Sequence, residues 1–248
     1  MAEILYGRQP LREALRAGRR QVHRLFLAEG VRRGVTIAQV LTLAKQAAVP
    51  VQVVERGEIE RLSGGAHHQG LAAEVSEYPY LDLQDLLDRL QTAAEPPLLL
   101  LLDHVQDPQN LGSLLRTAEA AGVQGVVLPR RRAAGVTPAA VRASAGAAEW
   151  VAVARVTNLA RAMMALKERG VWLAGLEALP QAVLYYQADL SGPLGLVVGS
   201  EGQGLARLIR DRCDYLIRLP LRGQVGSLNA AVAGGIALYE ALRQREGL

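Results

Sequence analysis

Two short runs, LLLLL at 98–102 and LGLVV at 194–198, contain no polar side chain. A strand that alternates polar and apolar residues leaves one face to water. A strand apolar throughout must be covered on both faces, as in a mostly parallel sheet flanked by helices. The chain around these runs alternates strand-like and helical patterns, which predicts an α/β fold with an open parallel sheet. Strands are expected at 98–102, 125–128, 151–156, 171–175, 194–198 and 215–219, and helices at 111–121, 138–145, 159–169, 205–212 and 227–243.

The first 75 residues form a second alternating block. The segment ILY precedes a helix over 10–17, with Pro10 at its start and Gly18 just past its end, the expected asymmetry. Strands follow at 22–28, 51–54 and 71–75, with helices at 37–48 and 58–62 between them. About 75 residues suffice for a small independent domain. Residues 76–97, punctuated by Tyr78-Pro79 and Pro96-Pro97 around an acidic amphipathic stretch, read as a connector. The expected organisation is therefore a domain at 1–75, a linker at 76–97 and a larger domain at 98–248.

Charge follows these divisions. Residues 1–75 carry 11 Lys+Arg against 7 Asp+Glu, residues 76–97 carry 1 against 5, and residues 98–248 carry 16 against 12. Of the 28 basic residues only Lys45 and Lys167 are lysine. Arginine's planar fork suits phosphate, although genomic base composition produces the same bias. The run Arg130-Arg131-Arg132 is either a solvated turn or a phosphate contact. A single cysteine, Cys213, excludes an internal disulfide framework and reads as a small buried residue. No apolar run approaches the roughly 20 residues of a membrane span, and the N-terminus lacks a signal pattern. A reduced, cytoplasmic protein is expected. His67 and His68 have no partner at metal-ligand spacing, so no metal site is expected.

Open parallel sheets bind ligands outside the carboxyl ends of their strands, and three such ends have unusual content. DHVQDPQNLGSLLR follows 98–102; in it Asp107-Pro108 makes a turn, Asn110 could cap the next helix, and Arg116 lies within that helix. GSEGQGL follows 194–198; Gly199, Gly202 and Gly204 match neither the dinucleotide fingerprint nor the P-loop. Glu201, its one acid, could equally be a helix N-terminal acid. PLRGQVGSLNAA follows 215–219; Ser227 lacks the nucleophile-elbow context and could be a helix cap. The small-residue helix after it suits close packing, either internal or against a second copy.

Together and in this order, DPQNLGSLLRTAEAAG, LVVGSEGQGL and IRLPLRGQVGSLNAAVAGGIALYEAL resemble the three signature motifs of the SpoU (TrmH) family of RNA ribose 2′-O-methyltransferases. YGRQPLREAL and HHQGLAAEV are similar to the small ribosomal-protein-like RNA-binding domain of the branch that acts on guanosine ribose in 23S rRNA, so the resemblance spans nearly the whole chain. Ala230-Ala231 replaces the common Val-Ser, and Leu221 a common methionine.

The resemblance implies a Rossmann-like parallel sheet with a deep trefoil knot (the SPOUT fold), a homodimer whose subunits complete each other's sites, and S-adenosylmethionine as methyl donor. Its sulfonium already carries the charge that makes it a leaving group, so no metal is implied. Carried onto matching positions, Arg116 is the catalytic arginine, read here as a phosphate clamp that orients the 2′-hydroxyl rather than as a base, because guanidinium stays protonated. Asn110 and Glu201 shape the site, and Ser227 and Asn229 organise the knot loop. Gly199, Glu201, Gly202, Leu219, Leu228 and Asn229 cradle the cofactor. RNA contacts are expected from Arg8, Arg12, Arg16, Arg19, Arg20, Arg24, His68 and Gln69. Other outcomes compatible with the sequence are a tRNA substrate, a resistance methylase and a non-catalytic ribosome-assembly protein.

Overall fold

The computed structural model describes residues 2–32 and 34–247. The chain divides into two compact units, one comprising Met1–Pro79 and Val136–Trp150, the other Tyr80–Gly135 and Val151–Leu248. In the first unit the elements run β1 (Ala2–Tyr6), α1 (Arg8–Ala17), β2 (Val22–Ala28), α2 (Val35–Gln46), β3 (Val51–Val54), α3 (Arg56–Leu62) and β4 (Leu71–Ser76). The sheet order is β1-β4-β2-β3; β4 is antiparallel to both neighbours and β2 is parallel to β3. Helix α1 begins two residues before Pro10, whose missing N–H costs nothing in a first turn.

The second unit contains α4 (Leu83–Gln91), β5 (Leu98–Leu102), α5 (Pro108–Ala120) and β6 (Gly125–Pro129). The chain then leaves for α6 (Pro138–Ala143) and a 3-10 turn at Ala147–Glu149. It returns as β7 (Val153–Val156), α7 (Leu159–Lys167), β8 (Trp172–Leu176), β9 (Val183–Leu184), β10 (Leu194–Val198), α8 (Arg207–Arg210), β11 (Tyr215–Arg218) and α9 (Ala230–Arg245). Seven strands form one wholly parallel sheet in the order β7-β6-β5-β10-β8-β11-β9. The two apolar runs are its adjacent central strands β5 and β10, buried at every position. Burying five leucine side chains at roughly 1.5–3 kcal/mol each makes β5 the anchor of this core.

Two segments pack where composition alone does not indicate. The acidic stretch read as a linker forms α4, capped by the Asp82 carboxylate accepting from the Asp85 amide at 2.8 Å. Its Leu86 and Leu87 join the sheet's core. Residues 136–150, read as part of the larger domain, pack within the first unit instead. There the Arg20 guanidinium, with no exposed side-chain surface, donates to the Glu149 carboxylate at 3.3 Å and to the Ser76 carbonyl at 2.6 Å, and pairs with Glu3. Tyr78 donates its hydroxyl to the Ala148 carbonyl at 2.7 Å, and the Trp150 indole donates to Glu13 at 3.0 Å. The helix expected over 205–212 shortens to α8, and the two-residue β9 was not foreseen. Among the described residues no helix is long and apolar enough to cross a membrane.

Candidate active site

Strands β5, β6 and β7 extend the sheet one way and β8, β11 and β9 the other, with β10 filling the place between β5 and β8. The crevice at such a reversal, outside the carboxyl ends, is where doubly wound sheets hold ligands. Three loops converge there. Asn110 comes from the loop and first turn after β5, Glu201 from the loop after β10, and Asn229 from the end of the loop after β11.

Their side chains form a closed ring. The Asn229 amide nitrogen donates to Asn110 Oδ1 at 2.8 Å and to Glu201 Oε2 at 3.1 Å; Asn110 Nδ2 donates to the same Oε2 at 3.2 Å. The direction of these bonds has a cause. Asn229 Oδ1 accepts from the Ala231 and Val232 amides at 3.0 and 3.2 Å, capping α9, so its nitrogen must face the ring. Neither Asn110 nor Ser227 is a cap. Asp107 caps α5, accepting from the Gln109 and Asn110 amides at 3.2 Å, which releases the Asn110 side chain to the ring. Ser227 stands exposed in the loop before α9.

A cleft of about 220 Å³ lies against the ring. Gly199, Glu201, Gly202, Leu219, Ser227 and Leu228 line it, as does Leu221; Asn229 sits at its margin in the ring. The loop after β10 folds back so tightly that a Cβ on Gly199 would meet the Gly204 carbonyl at 2.3 Å, which requires glycine there. Sequence reasoning missed the third wall, Leu176 at the end of β8 with Glu177 and Ala178 after it. Glu177 accepts from the Leu205 amide at 2.9 Å and braces the same loop. Asp103 accepts from the Ala206 amide at 2.7 Å and braces it from β5. Acids that end β5 and β8 carry no motif of their own, so only the fold reveals their use.

Arg116 is not part of the ring. It lies six residues past Asn110, about 120° around α5 and about 9 Å along it, and is exposed. Its neighbour Thr117 faces α9 across Gly235, and Gly234 brings the two helices so close that a Cβ would stand 2.7 Å from Leu114. The small residues of α9 therefore serve internal packing. Val232, Ile236 and Tyr239, at helical spacing on its other side, are 51%, 38% and 51% exposed. Burial pushes the Cys213 thiol up to about 12, which suits a packing residue rather than a nucleophile.

In the first unit the expected RNA contacts divide. Arg20 is buried in the Glu3–Glu149 cluster and His68 is buried with its Nδ1 accepting from the Gly70 amide at 3.1 Å, so both hold the fold and neither offers a surface. Arg12 and Arg16 pair with Glu13 at 2.7 and 3.1 Å, and Arg19 donates to the Glu149 and Pro79 carbonyls. Arg24 is exposed on β2, its guanidinium 6.0 Å from the Phe26 ring. Arg8 and Gln69 remain surface groups, linked by Arg8 Nε donating to the Gln69 carbonyl at 3.2 Å. They border a cleft of about 410 Å³ with His67 and with Arg32 and Arg56, two cations that sequence reasoning did not select because they lie on separate segments. Among the described residues no group of three His, Cys, Asp or Glu could hold a metal ion.

Comparison with known proteins places these features. Residues 97–239 match the SpoU rRNA Methylase family, and residues 4–81 match the family described as RNA 2′-O ribose methyltransferase substrate binding. An uncharacterized tRNA/rRNA methyltransferase of Synechocystis sp. is 44% identical over 98% of this chain, which spans 63% of that protein's length. A 23S rRNA (guanosine-2′-O-)-methyltransferase, RlmB, of Pseudomonas putida is 42% identical over 98% of this chain and 97% of its own. The crystal structure of the SpoU methyltransferase AviRb from Streptomyces viridochromogenes, in complex with AdoMet, superposes with a TM-score of 0.82 at 27% identity, covering 100% of this chain and 92% of that one.

Proposed function

Because this chain belongs to the SpoU rRNA Methylase family, whose members are S-adenosylmethionine-dependent RNA methyltransferases, we propose that it methylates a guanosine ribose 2′-hydroxyl of 23S rRNA in the cytoplasm. The observation that carries the reading is the ring of Asn110, Glu201 and Asn229 beside the 199–204 cleft. The choice of 23S rRNA rests on the RlmB relative, similar along nearly its entire length, and on the substrate-binding module at 4–81.

The cleft fits S-adenosylmethionine chemically. Leu176, Val198, Leu219, Leu221 and Leu228 give apolar walls for a purine, while Glu177 and Glu201 place carboxylates near a ligand that carries cationic groups. When bound, the cofactor supplies a methyl carbon on a sulfonium. This chain's residues supply position. The ring fixes the loops after β5, β10 and β11 relative to one another, and holding reactants in a near-attack line is worth roughly 7–11 kcal/mol. Asn229 is set by its cap to α9, so the ring inherits the rigidity of a sixteen-residue helix. Arg116 grips a substrate phosphate and turns the 2′-hydroxyl toward the cleft.

Arg116 is exposed on α5, about 120° around the helix from Asn110, which supports a homodimer in which it serves the partner's site. The exposed Val232, Ile236 and Tyr239 stripe on α9, next to α5, supplies an apolar surface for that contact. The insertion of β10 between β5 and β8, with α9 returning onto α5, supports a trefoil-knotted C-terminal segment.

The test is incubation with tritiated S-adenosylmethionine and separate unmodified 23S rRNA and tRNA, followed by mapping of the label. Label on one 23S ribose is expected; label on tRNA alone would overturn the substrate, and no label on either the activity. Mixing the Arg116→Ala and Glu201→Ala variants tests the shared site. With random exchange about half the dimers are mixed and one site in each is intact, so about a quarter of wild-type activity should return. No recovery on exchange would place Arg116 in its own subunit's site.

A further inference from the structure

The run Arg130-Arg131-Arg132 belongs neither to the ring nor to the cofactor cleft. It follows β6 directly, at the carboxyl edge of the sheet that also carries Asn110 and Glu201. A separate cleft of about 400 Å³ opens beside it between α4 and α7, lined by Arg130, Arg155 and Arg161 with Gln84, Thr157 and Asn158. Among the described residues no carboxylate lines it. Arg131 and Arg132, next in the chain to the lining Arg130, are both exposed.

These five arginines are set apart by lying together without a counter-charge, whereas the arginines paired elsewhere each have one. Arg12, Arg16, Arg20, Arg207 and Arg243 each pair with a carboxylate. Among the described residues none of Arg130, Arg131, Arg132, Arg155 and Arg161 has an ion pair. Clustered like charges repel unless an anion is shared between them. The cluster is nonetheless held in place. Arg155 stacks 5.1 Å over the Tyr80 ring and donates Nη2 to the Arg130 carbonyl at 3.3 Å. Its Nε is buried with no hydrogen-bond partner. Asn158 accepts from the Arg161 amide at 3.0 Å, fixing Arg161 in the first turn of α7, where the helix dipole is also positive.

We infer that this cleft is an RNA backbone site that grips phosphates flanking the target nucleotide. The inference rests on the RNA reading above. Among the described residues no aromatic lines the cleft, and Arg155 lies over the nearby Tyr80 ring, so the lining suits phosphate rather than base stacking. Three strand spacings of about 4.8 Å separate it from the cofactor cleft, about 14 Å along the same edge. A strand whose ribose enters at Asn110 would cross it within a few nucleotides.

The experiment titrates an unmodified in vitro transcript of 23S rRNA against the wild type, the triple variant R130A/R131A/R132A, the lysine triple R130K/R131K/R132K, and Arg161→Gln. Binding is measured between about 50 and 200 mM salt, alongside KM and kcat. The alanine triple should bind at least tenfold more weakly, with its salt slope reduced by roughly 0.7–0.9 for each phosphate it no longer neutralises. KM for RNA should rise while kcat and affinity for S-adenosylmethionine hold. The lysine triple should keep most of the binding, and Arg161→Gln should lose part of it without touching the loop. If the wild type methylates the transcript while the alanine triple and Arg161→Gln bind it within twofold at the same slope, the inference fails and the function stands. Equal loss in the alanine and lysine triples would also overturn it, because lysine keeps the charge that dominates a backbone contact even where it loses the fork. A wild type that neither binds nor methylates RNA would remove the underlying function and this site together.

Discussion

The two units each hold a cluster of polar groups drawn from distant parts of the sequence, one radiating from the Arg20 guanidinium and one closed on itself, and the most consequential difference between them is burial. In the first unit Arg20, Glu149, Glu3 and the Ser76 carbonyl converge with Arg20 and Glu149 wholly excluded from solvent. In the second Asn110, Glu201 and Asn229 bond one another at the rim of a cleft, with Glu201 exposed. Buried, such a ring can only hold segments together, because any ligand would have to displace it. At a rim the same bonding aims groups at a space that a ligand can enter. The buried group must also settle the charges of Arg20 and Glu149 away from water, whereas the exposed ring pairs two amides with one carboxylate that solvent still reaches, so it loses less to desolvation.

The comparison is put under most strain by Arg20→Ala. It leaves Glu149 as an uncompensated buried carboxylate, and removing one partner of such a pair costs about 3–5 kcal/mol. Urea unfolding should show that loss, and the Arg20→Met, Glu149→Leu double variant should recover most of it. Full stability in the single variant would mean that the buried ring is not structural.

Asn229 separates fold from chemistry at the other ring. Asn229→Asp keeps the oxygen that caps α9 but loses the donor to Asn110 and Glu201 and sets two carboxylates side by side. Thermal stability should hold near wild type while methyl transfer falls about a hundredfold, the scale of a misplaced reacting group. Asn229→Ala should lose both, with about 0.5–2 kcal/mol from the missing cap. Retained activity in Asn229→Asp would reduce the exposed ring to a second structural clasp.

Much of the candidate site was legible because its residues sit in three contiguous motifs, each at a strand end. Asn110, Glu201 and Asn229 were selected from sequence, as were Gly199, Gly202, Leu219, Ser227 and Leu228 of the cleft's lining. What sequence misassigned were roles that depend on a neighbour one turn away. Asp107, not Asn110, caps α5, and Asn229, not Ser227, caps α9, because capping is decided by where the first helical turn closes. In the first unit, local charge density was a poor guide. Arg20 and His68 looked like surface groups beside exposed neighbours, but Arg20 is enclosed by Glu149, far along the chain, and His68 turns inward onto the amide of Gly70. The same blindness hid the attachment of 136–150 to the first unit, since no composition shift marks a segment that leaves one core for another.

The smallest effect gives the finest test of the buried ring. Burial pushes the Glu149 carboxyl above its ordinary 4.5, and the Arg20 charge and hydrogen bond pull it only part of the way back. The folded state thus holds this proton more tightly than the unfolded one. Its stabilising contribution is complete below about 4.5 and is lost as pH rises through the higher folded value. Glu13 behaves oppositely. Burial raises it, but hydrogen bonds from Arg12 and Trp150 and the charges of Arg12 and Arg16 outweigh that and leave it lowered, so its contribution is present above 4.5 and lost as pH falls through the folded value. Stability measured across the acid to neutral range for wild type, Glu149→Gln and Glu13→Gln separates the two. The wild-type advantage over Glu149→Gln should shrink as pH rises above 4.5, and the advantage over Glu13→Gln should grow from acid up to that point and then level. A flat difference for Glu149→Gln would mean that Arg20 neutralises it fully, and the buried ring would then hold its charge as comfortably as the exposed ring holds its amides.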